Sequence, residues 1–244
     1  MEINKIYLGD AYELIKNIPD NSIDLIYTDI PYLNTQKKSG GFSDRLFNEQ
    51  IAKLGDGINY EILNEFKRVL KVINIYIWCS KDQIKPIINY FNLPFVILGW
   101  GKTNAIPRFN NNYLSNLEYC LYIYDAGRFN NFAYDRASRY FISAVNMEDK
   151  KDFEHPTIKP LQFVKNHLQN SCPEGGVILD PFLGSGTTAV AARELNMNYI
   201  GFEIDENYYK IACDRLNGIK ADGTTNLFET DYEQLQIEFE ETKK

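Results

Sequence analysis

Residues 177–188 of this chain read VILDPFLGSGTT. An apolar run ends in Asp180, a turn with two glycines follows, and Thr187 begins a segment with helical spacing. Glycine lets the backbone approach a ligand closely, and the free amides at the start of a helix bind acceptor groups. The stretch therefore predicts a strand, a ligand-binding loop and a helix within an α/β sheet.

A second predicted strand, residues 199–204, contains the sequence YIGFE and so places Glu203 near its carboxyl end. In nucleoside-binding α/β sheets, an acid at this point accepts the two ribose hydroxyls. The loop differs from a P-loop, because Thr187 and Thr188 stand where the lysine would be, and it lacks the third glycine of the dinucleotide pattern. A nucleoside without a polyphosphate is the ligand that this pattern favours.

The rest of the chain alternates short apolar segments with amphipathic ones. Seven segments are predicted as strands: 5–8, 22–28, 72–78, 95–100, 118–124, 177–179 and 199–204. Five are predicted as helices: 59–70, 81–91, 160–170, 185–195 and 206–216. Several strands are apolar on both faces, which is typical of a parallel sheet covered by helices on both sides. We therefore expect an α/β fold, Rossmann-like, with a mostly parallel seven-stranded sheet in a single domain, residues 1–244.

Composition excludes several classes of protein. The 244 residues are 44% hydrophobic, but no apolar run approaches the roughly 18 to 20 residues of a membrane span. The N-terminus has no apolar signal core. The four cysteines are far apart and only two histidines are present, which argues against a zinc or histidine-rich metal site. We expect reduced core cysteines, no metal, no membrane segment and a cytoplasmic location.

Residues 22–32 read SIDLIYTDIPY, a hydrophobic strand that runs into an acid, a proline and an aromatic residue. In open α/β sheets, ligands bind at the carboxyl ends of the strands. An exocyclic base amine is a poor nucleophile, because its lone pair is delocalised into the ring. Asp29 and the carbonyl of Ile30 would accept its two hydrogens, while Pro31 restricts the backbone. The ring of Tyr32 offers a stacking face for a base swung out of a duplex.

Together these motifs resemble those of the AdoMet-dependent DNA amino-methyltransferases, which methylate adenine N6 or cytosine N4. The DPFLGSGTT loop is similar to their cofactor loop. Asp29-Ile30-Pro31-Tyr32 is similar to their catalytic Asp/Asn/Ser-Pro-Pro-aromatic tetrapeptide, with Ile30 in place of the first proline. The tetrapeptide precedes the loop, as in the β group of the family, and the resemblance covers about residues 5–217. Acid at the first position accompanies adenine methylation in the family, so Asp29 favours adenine.

The resemblance also implies the residues that hold AdoMet. HPTIKP at 155–160 is similar to the segment that holds the methionine end of the cofactor, and YLGDA at 7–11 is similar to the strand and acid that contact its adenine. The predicted cofactor residues are Asp10, Ala11, Thr157, Lys159, Asp180, Phe182, Gly184, Ser185, Gly186, Thr187 and Glu203.

The net charge of −7 by itself opposes DNA binding, because phosphate contacts reward cations. Acid is concentrated in a tail at 229–244, however, and base collects elsewhere. By resemblance, residues 125–154 form a small target-recognition insertion and the partner is double-stranded DNA; a second copy of the chain and a cognate restriction endonuclease are further candidate partners. The predicted DNA contacts are Lys37, Lys38, Lys102, Arg108, Arg128, Arg136 and Arg139.

Two alternatives remain open on sequence alone. One is methylation of cytosine N4. The other is an AdoMet-binding module without transferase activity, favoured by Ile30 and by Val72-Ile73-Asn74 in place of the family's Pro-Gly-Gly turn. A nicotinamide dehydrogenase is disfavoured by the incomplete glycine pattern. Because proline would restore rigidity to the tetrapeptide, we expect Ile30→Pro to preserve or raise turnover.

Overall fold

The computed structural model describes residues 1–32, 57–105, 113–144 and 159–219. In these ranges the strands are β1 Lys5–Leu8, β2 Leu25–Asp29, β3 Asn74–Cys79, β4 Phe95–Lys102, β5 Leu117–Tyr124, β6 Tyr140–Ser143, β7 Val177–Asp180 and β8 Asn198–Glu203. The helices are α1 Ala11–Leu14, which continues into a 3-10 turn at Ile15–Asn17, α2 Ile62–Val69, α3 Lys81–Phe91, α4 Leu161–Ser171, α5 Thr187–Glu194 and α6 Glu206–Leu216.

The strands form one sheet in the order β1-β8-β7-β2-β3-β5-β4-β6. Neighbouring strands are parallel, except that β5 runs antiparallel to both β3 and β4. The carboxyl ends of β1, β8, β7, β2 and β3 therefore meet at one edge. The predicted mostly parallel, Rossmann-like sheet is confirmed, with eight strands instead of seven. The additional strand, β6, lies within residues 125–154, to which the sequence analysis assigned no strand.

Helices cover both faces of the sheet, as predicted. On β3, Tyr76 and Trp78 belong to the apolar cluster shared with α4, α5 and α6. The alternate residues Ile75 and Ile77 belong to the cluster shared with α1, α2 and α3. Full burial of one such large apolar side chain is worth roughly 1.5–3 kcal/mol, so this two-sided core fixes the register of the strands and the face on which each side chain lies.

Two further sequence expectations concern cysteines and membranes. Cys79, Cys120 and Cys172 are free and buried, and Cys213 is free and half-buried, as expected for core cysteines. Within the described ranges, no helix has the length and apolarity that crossing a membrane requires.

Candidate active site

A cavity of about 500 Å³ lies at the edge of the sheet where the parallel strands end. Ligand sites for small molecules and cofactors typically have volumes of roughly 300–1,000 Å³. The cavity brings together residues that the sequence analysis took from separate motifs: Asp10, Ala11, Asp29, Ile30, Pro31, Tyr32, Lys159, Asp180, Phe182, Gly184, Ser185, Thr187 and Glu203. The predicted catalytic tetrapeptide and the glycine loop therefore share one cavity.

The glycine loop is hydrogen-bonded to Glu203, the acid predicted to bind ribose. Glu203 Oε2 accepts a hydrogen bond of 2.7 Å from the Gly184 amide, and Oε1 accepts one of 2.9 Å from the Asp205 amide. Burial raises the pKa of Glu203, and these backbone amides oppose that rise. Each carboxylate oxygen keeps a second lone pair, so Glu203 can hold the loop and still accept from a ligand.

Both loop glycines have left-handed backbone angles, with φ of 55° at Gly184 and 82° at Gly186. A Cβ added to Gly186 would lie 2.9 Å from the Cβ of Ala212 in α6. Gly186 therefore meets two requirements that other residues fail, a positive φ and a close approach between α5 and α6. Gly186 thereby sets the shape of the loop on the side that faces α6.

Asp10 lies opposite Glu203, across the paired ends of β1 and β8. Its side chain begins α1 by accepting a 2.9 Å hydrogen bond from the Tyr12 amide. Leu8 pairs with Glu203 in the sheet, which brings the two acids to neighbouring strand ends. An acid that can accept from an amine and an acid that can accept from hydroxyls fit the adenosine part of AdoMet.

Ser185 and Thr187, both predicted to bind the cofactor, are held by an arginine that the sequence analysis missed. Arg215 Nη1 donates to the Ser185 carbonyl at 2.6 Å, to Ser185 Oγ at 3.0 Å and to Thr187 Oγ1 at 3.0 Å. Arg215 is only 7% exposed and lies on the buried face of α6. A basic residue on the apolar face of a predicted helix was the signal available in the sequence. Direct contact of Ser185 and Thr187 with AdoMet stays a prediction.

Asp180, at the end of β7, is buried behind the loop. It accepts hydrogen bonds from Thr188 Oγ1 at 2.6 Å and from the Phe182 amide at 3.2 Å. Burial raises the pKa of Asp180 from 3.8 to about 7, although both hydrogen bonds act in the opposite direction. The position of this carboxyl identifies it as a support for the loop.

The raised pKa of Asp180 predicts a pH dependence of stability. The folded protein holds this proton more tightly than the unfolded chain, so the contribution is complete below pH 4 and is lost as pH rises towards 7. One proton changes the free energy of unfolding by at most about 1.4 kcal/mol per pH unit. Urea unfolding between pH 5 and 8 should show this decline in the wild type and a smaller one in Asp180→Asn. Equal slopes in the two proteins would contradict the assignment.

The other half of the cavity is built around Asp29, at the end of β2. Its Oδ2 accepts a hydrogen bond from the Lys159 ammonium. Its Oδ1 is buried and has no hydrogen-bond partner in the described part of the chain, and the same is true of the Tyr32 hydroxyl. One oxygen of the predicted catalytic carboxylate is therefore fixed and the other is available.

Lys159 joins Asp29 to a second carboxylate. Its Nζ forms an ion pair with Glu118 Oε2 at 2.9 Å, and Glu118 Oε1 accepts from the ammonium of Lys102. Burial would raise the pKa of Glu118, but the two lysines lower it to about 2. Burial would lower the pKa of Lys159, but Asp29 and other nearby groups raise it well above its usual value. The four side chains thus form a row of alternating charge, which we call the Lys102–Asp29 row.

The location of Lys159 refines a sequence expectation. The resemblance assigned Lys159 to the methionine end of AdoMet, whereas its ammonium contacts the predicted catalytic carboxylate and Glu118. It still lines the cavity, so a contact with the cofactor stays a prediction. The sequence analysis assigned no role to Glu118, although a lone acid in the apolar strand LEYCLYIY was a signal of its own.

The tetrapeptide is held rigid without its first proline. The Ile30 side chain is 1% exposed and belongs to the apolar cluster on the α2 and α3 face, and its amide donates to the Trp78 carbonyl at 3.2 Å. The Pro31 carbonyl accepts a 2.9 Å hydrogen bond from Gln83 Nε2. Gln83 is itself fixed by the capping box with Ser80 at the start of α3. Core packing and Gln83 thus supply the rigidity that proline supplies elsewhere.

This geometry reverses our expectation for Ile30→Pro. Proline cannot donate to Trp78 and fills less of the apolar cluster, so we now expect a loss of roughly 1–3 kcal/mol in the free energy of unfolding, and slower turnover. Urea unfolding measures the first and single-turnover methylation the second. Ile30→Val keeps the amide and should lose only roughly 0.5–1.5 kcal/mol. If Ile30→Pro is as stable and as active as the wild type, packing of Ile30 does not hold the tetrapeptide.

The predicted DNA contacts differ in their surroundings. The ammonium of Lys102 pairs with Glu118 and its side chain is 19% exposed, so a contact of Lys102 with DNA stays a prediction. Arg128 stacks 3.6 Å from the Tyr124 ring centroid and donates to Tyr122, while Arg136 donates to the Asn131 carbonyl, so both brace their own segment. Arg139 is exposed and stays a candidate. Lys37, Lys38, Arg108 and the predicted cofactor residue Thr157 lie outside the described residues.

Comparison with known proteins agrees with this arrangement. A family model described as DNA methylase matches residues 23–214. The type II methyltransferase M.HinfI of Haemophilus influenzae is 30% identical over 273 residues, covering 99% of this chain and 74% of the relative. The type II methyltransferase M.HpaI of Haemophilus parainfluenzae is 31% identical, covering 87% of this chain and 74% of the relative.

Solved structures share the fold. The M1.HpyAVI–SAM complex has a TM-score of 0.66 and 26% identity, over 87% of this chain and 98% of that one. PvuII DNA methyltransferase (cytosine-N4-specific) has a TM-score of 0.67 over 86% of this chain and 85% of that one, but at 15% identity it shows the shared fold alone. With the family model covering most of the sequence, the chain belongs to the AdoMet-dependent DNA methyltransferases that modify exocyclic base amines.

Proposed function

We propose that the protein is a site-specific methyltransferase that acts on adenine N6 in double-stranded DNA. The observation that carries this proposal is the unpaired, buried Oδ1 of Asp29 in the same cavity as the glycine loop. A buried acceptor without a donor is costly, so this oxygen is poised for a donor brought by a ligand. An acid at this position supports adenine over cytosine, by the resemblance described above.

When bound, AdoMet supplies a methyl group on a sulfonium that is already activated for transfer to the amine. The protein's task is then mainly to position the reactants. Asp29 Oδ1 accepts one hydrogen of the amine and the Ile30 carbonyl accepts the other, which favours a pyramidal nitrogen with an available lone pair. Tyr32 stacks on the flipped base. After transfer the nitrogen carries a surplus proton, which passes to Asp29 Oδ1 and then to water.

The test is methylation of a complex DNA in vitro with AdoMet, followed by mapping of modified positions at base resolution. We expect N6-methyladenine confined to one short sequence. Detection of N4-methylcytosine instead would change the substrate base from adenine to cytosine and leave the reaction class unchanged. AdoMet binding without transfer to any DNA would refute the transferase and favour a binding module.

The remaining partner assignments are also proposals. Residues 125–154 would carry target recognition, although 145–154 lie outside the described residues, as does the acidic tail at 229–244. A net charge of −7 implies modest non-specific affinity for DNA and a strong dependence on salt. The homodimer, the cognate endonuclease and the cytoplasmic location stay predictions.

A further inference from the structure

Lys159 holds one hydrogen-bond donor at the wall of the cavity that the Lys102–Asp29 row does not use. A lysine ammonium has three N–H groups. Asp29 Oδ2 accepts one of them, and Glu118 Oε2 lies 2.9 Å away as a counter-ion. In the described ranges no further acceptor contacts this ammonium, although the side chain is only 8% exposed. The residue is therefore a buried, fixed cation with a donor to spare.

The spare donor lies where a flipped base would be bound. Lys159 Nζ is 4.9 Å from the ring centroid of Trp78 and 5.8 Å from that of Tyr32, and both rings line the cavity. The unpaired Oδ1 belongs to the same Asp29 carboxylate that binds the ammonium. The wall therefore presents an acceptor and a donor side by side.

The Watson–Crick edges of the bases differ in whether they match such a pair. Adenine carries the N6 amine beside the acceptor N1, and cytosine carries the N4 amine beside the acceptor N3. Guanine has an N1–H donor next to its amine, and thymine has no amine. Enzymes that flip bases read them by hydrogen bonds to this edge. An adjacent acceptor and donor would accept adenine or cytosine and reject the other two bases.

We propose that Lys159 recognises the target base by donating a hydrogen bond to the ring nitrogen next to the reactive amine, N1 in adenine, while Asp29 Oδ1 accepts from the amine. Glu118 positions the ammonium, and Lys102 anchors Glu118 from the side away from the cavity. This inference rests on the proposed function and adds to it the group that selects the base.

The experiment uses two duplexes that carry the mapped recognition sequence, one with adenine and one with 1-deazaadenine at the target position. In 1-deazaadenine a C–H group replaces N1 and the amine is retained. Single-turnover methylation and equilibrium affinity in the presence of S-adenosylhomocysteine are measured for both duplexes. We expect the wild type to prefer adenine by roughly 10- to 100-fold, the range for loss of a hydrogen bond to a charged donor. Lys159→Met should reduce that preference by about tenfold or more.

Lys165→Met is the matched control, because it removes a lysine ammonium from an ion pair with Glu194 that is separate from the row and does not line the cavity. It should keep the wild-type preference, as should Lys159→Arg, which retains a charged donor. Lys159→Met removes the cation that Asp29 and Glu118 share. If that variant fails to fold, the double variant Glu118→Gln/Lys159→Met is used, because it also neutralises one of these two carboxylates. It should show the same reduced preference.

A wild-type preference for adenine in Lys159→Met would overturn the inference, because the preference would then not depend on the ammonium. That outcome differs from failure of the proposed function, in which the wild type transfers no methyl group to any DNA. If mapping identifies cytosine, 3-deazacytosine replaces 1-deazaadenine and the expectations are unchanged.

Discussion

Asp29→Ala should reduce the single-turnover rate of methyl transfer by roughly 10³-fold, within the range for loss of a positioned acid–base group. The substitution removes the acceptor for the amine and the first acceptor for the surplus proton. AdoMet affinity should change by less than about threefold, which is under 1 kcal/mol, because the glycine loop and Glu203 contact one another without Asp29. Rapid-quench methylation and isothermal titration with AdoMet measure the two quantities separately.

Asp29→Asn sharpens this prediction. Asparagine has a single side-chain oxygen, and the Lys159 ammonium, which needs an acceptor, should take it. The NH₂ group then faces the reactive amine, donor against donor, so we expect Asp29→Asn to be nearly as slow as Asp29→Ala. Thermal melting checks that both variants fold. Wild-type turnover in Asp29→Ala would show that the carboxylate is not part of the reaction.

The sequence predicted those parts of the site whose residues lie close together in the chain. The strand–loop–helix unit at 177–188 and the tetrapeptide each carry their residue types within a few positions, and the parallel sheet brings them to one edge. Seven of the eight strands were recognised because each has an apolar run bounded by polar or turn residues. The strand β6 was missed because it lies within residues 125–154, which were interpreted as a target-recognition insertion.

The contacts that support the site were not predictable in the same way. Asp29 and Lys159 are 130 positions apart, and their contact exists only once the whole sheet has formed. Gln83 reaches the Pro31 carbonyl, and Arg215 reaches Ser185, from helices whose sequence gave only amphipathic periodicity. A polar residue on a buried helix face must find a partner, but its position in the sequence does not tell which one.

A motif also does not determine which contacts hold its backbone in place. Ile30 was interpreted as a loss of rigidity, because the family pattern has proline there. The structure shows a different means of holding the same backbone, by burial of the side chain and by Gln83 on the next carbonyl. The departure from the pattern therefore gives little support to a binding module without transferase activity.

Glu203→Ala should produce the opposite kinetic pattern from Asp29→Ala. The substitution leaves the Gly184 and Asp205 amides without their acceptor and removes the carboxylate predicted to bind the ribose hydroxyls. Hydrogen bonds to a charged group contribute roughly 1.5–3 kcal/mol each, so we expect the Kd for AdoMet to rise about 100-fold or more. Isothermal titration with AdoMet gives this value directly.

At saturating AdoMet, the transfer rate of Glu203→Ala should recover to within about tenfold of the wild type, because Asp29 and Tyr32 are unchanged and uniform binding affects KM more than kcat. Glu206→Ala is the matched control, since Glu206 is an exposed acid three residues further along, in the first turn of α6. It should bind AdoMet like the wild type. Wild-type affinity in Glu203→Ala would mean that this acid only braces the chain. A transfer rate that stays low at saturation would mean that Glu203 also orients the reacting methyl group, and that the two halves of the cavity do not act separately.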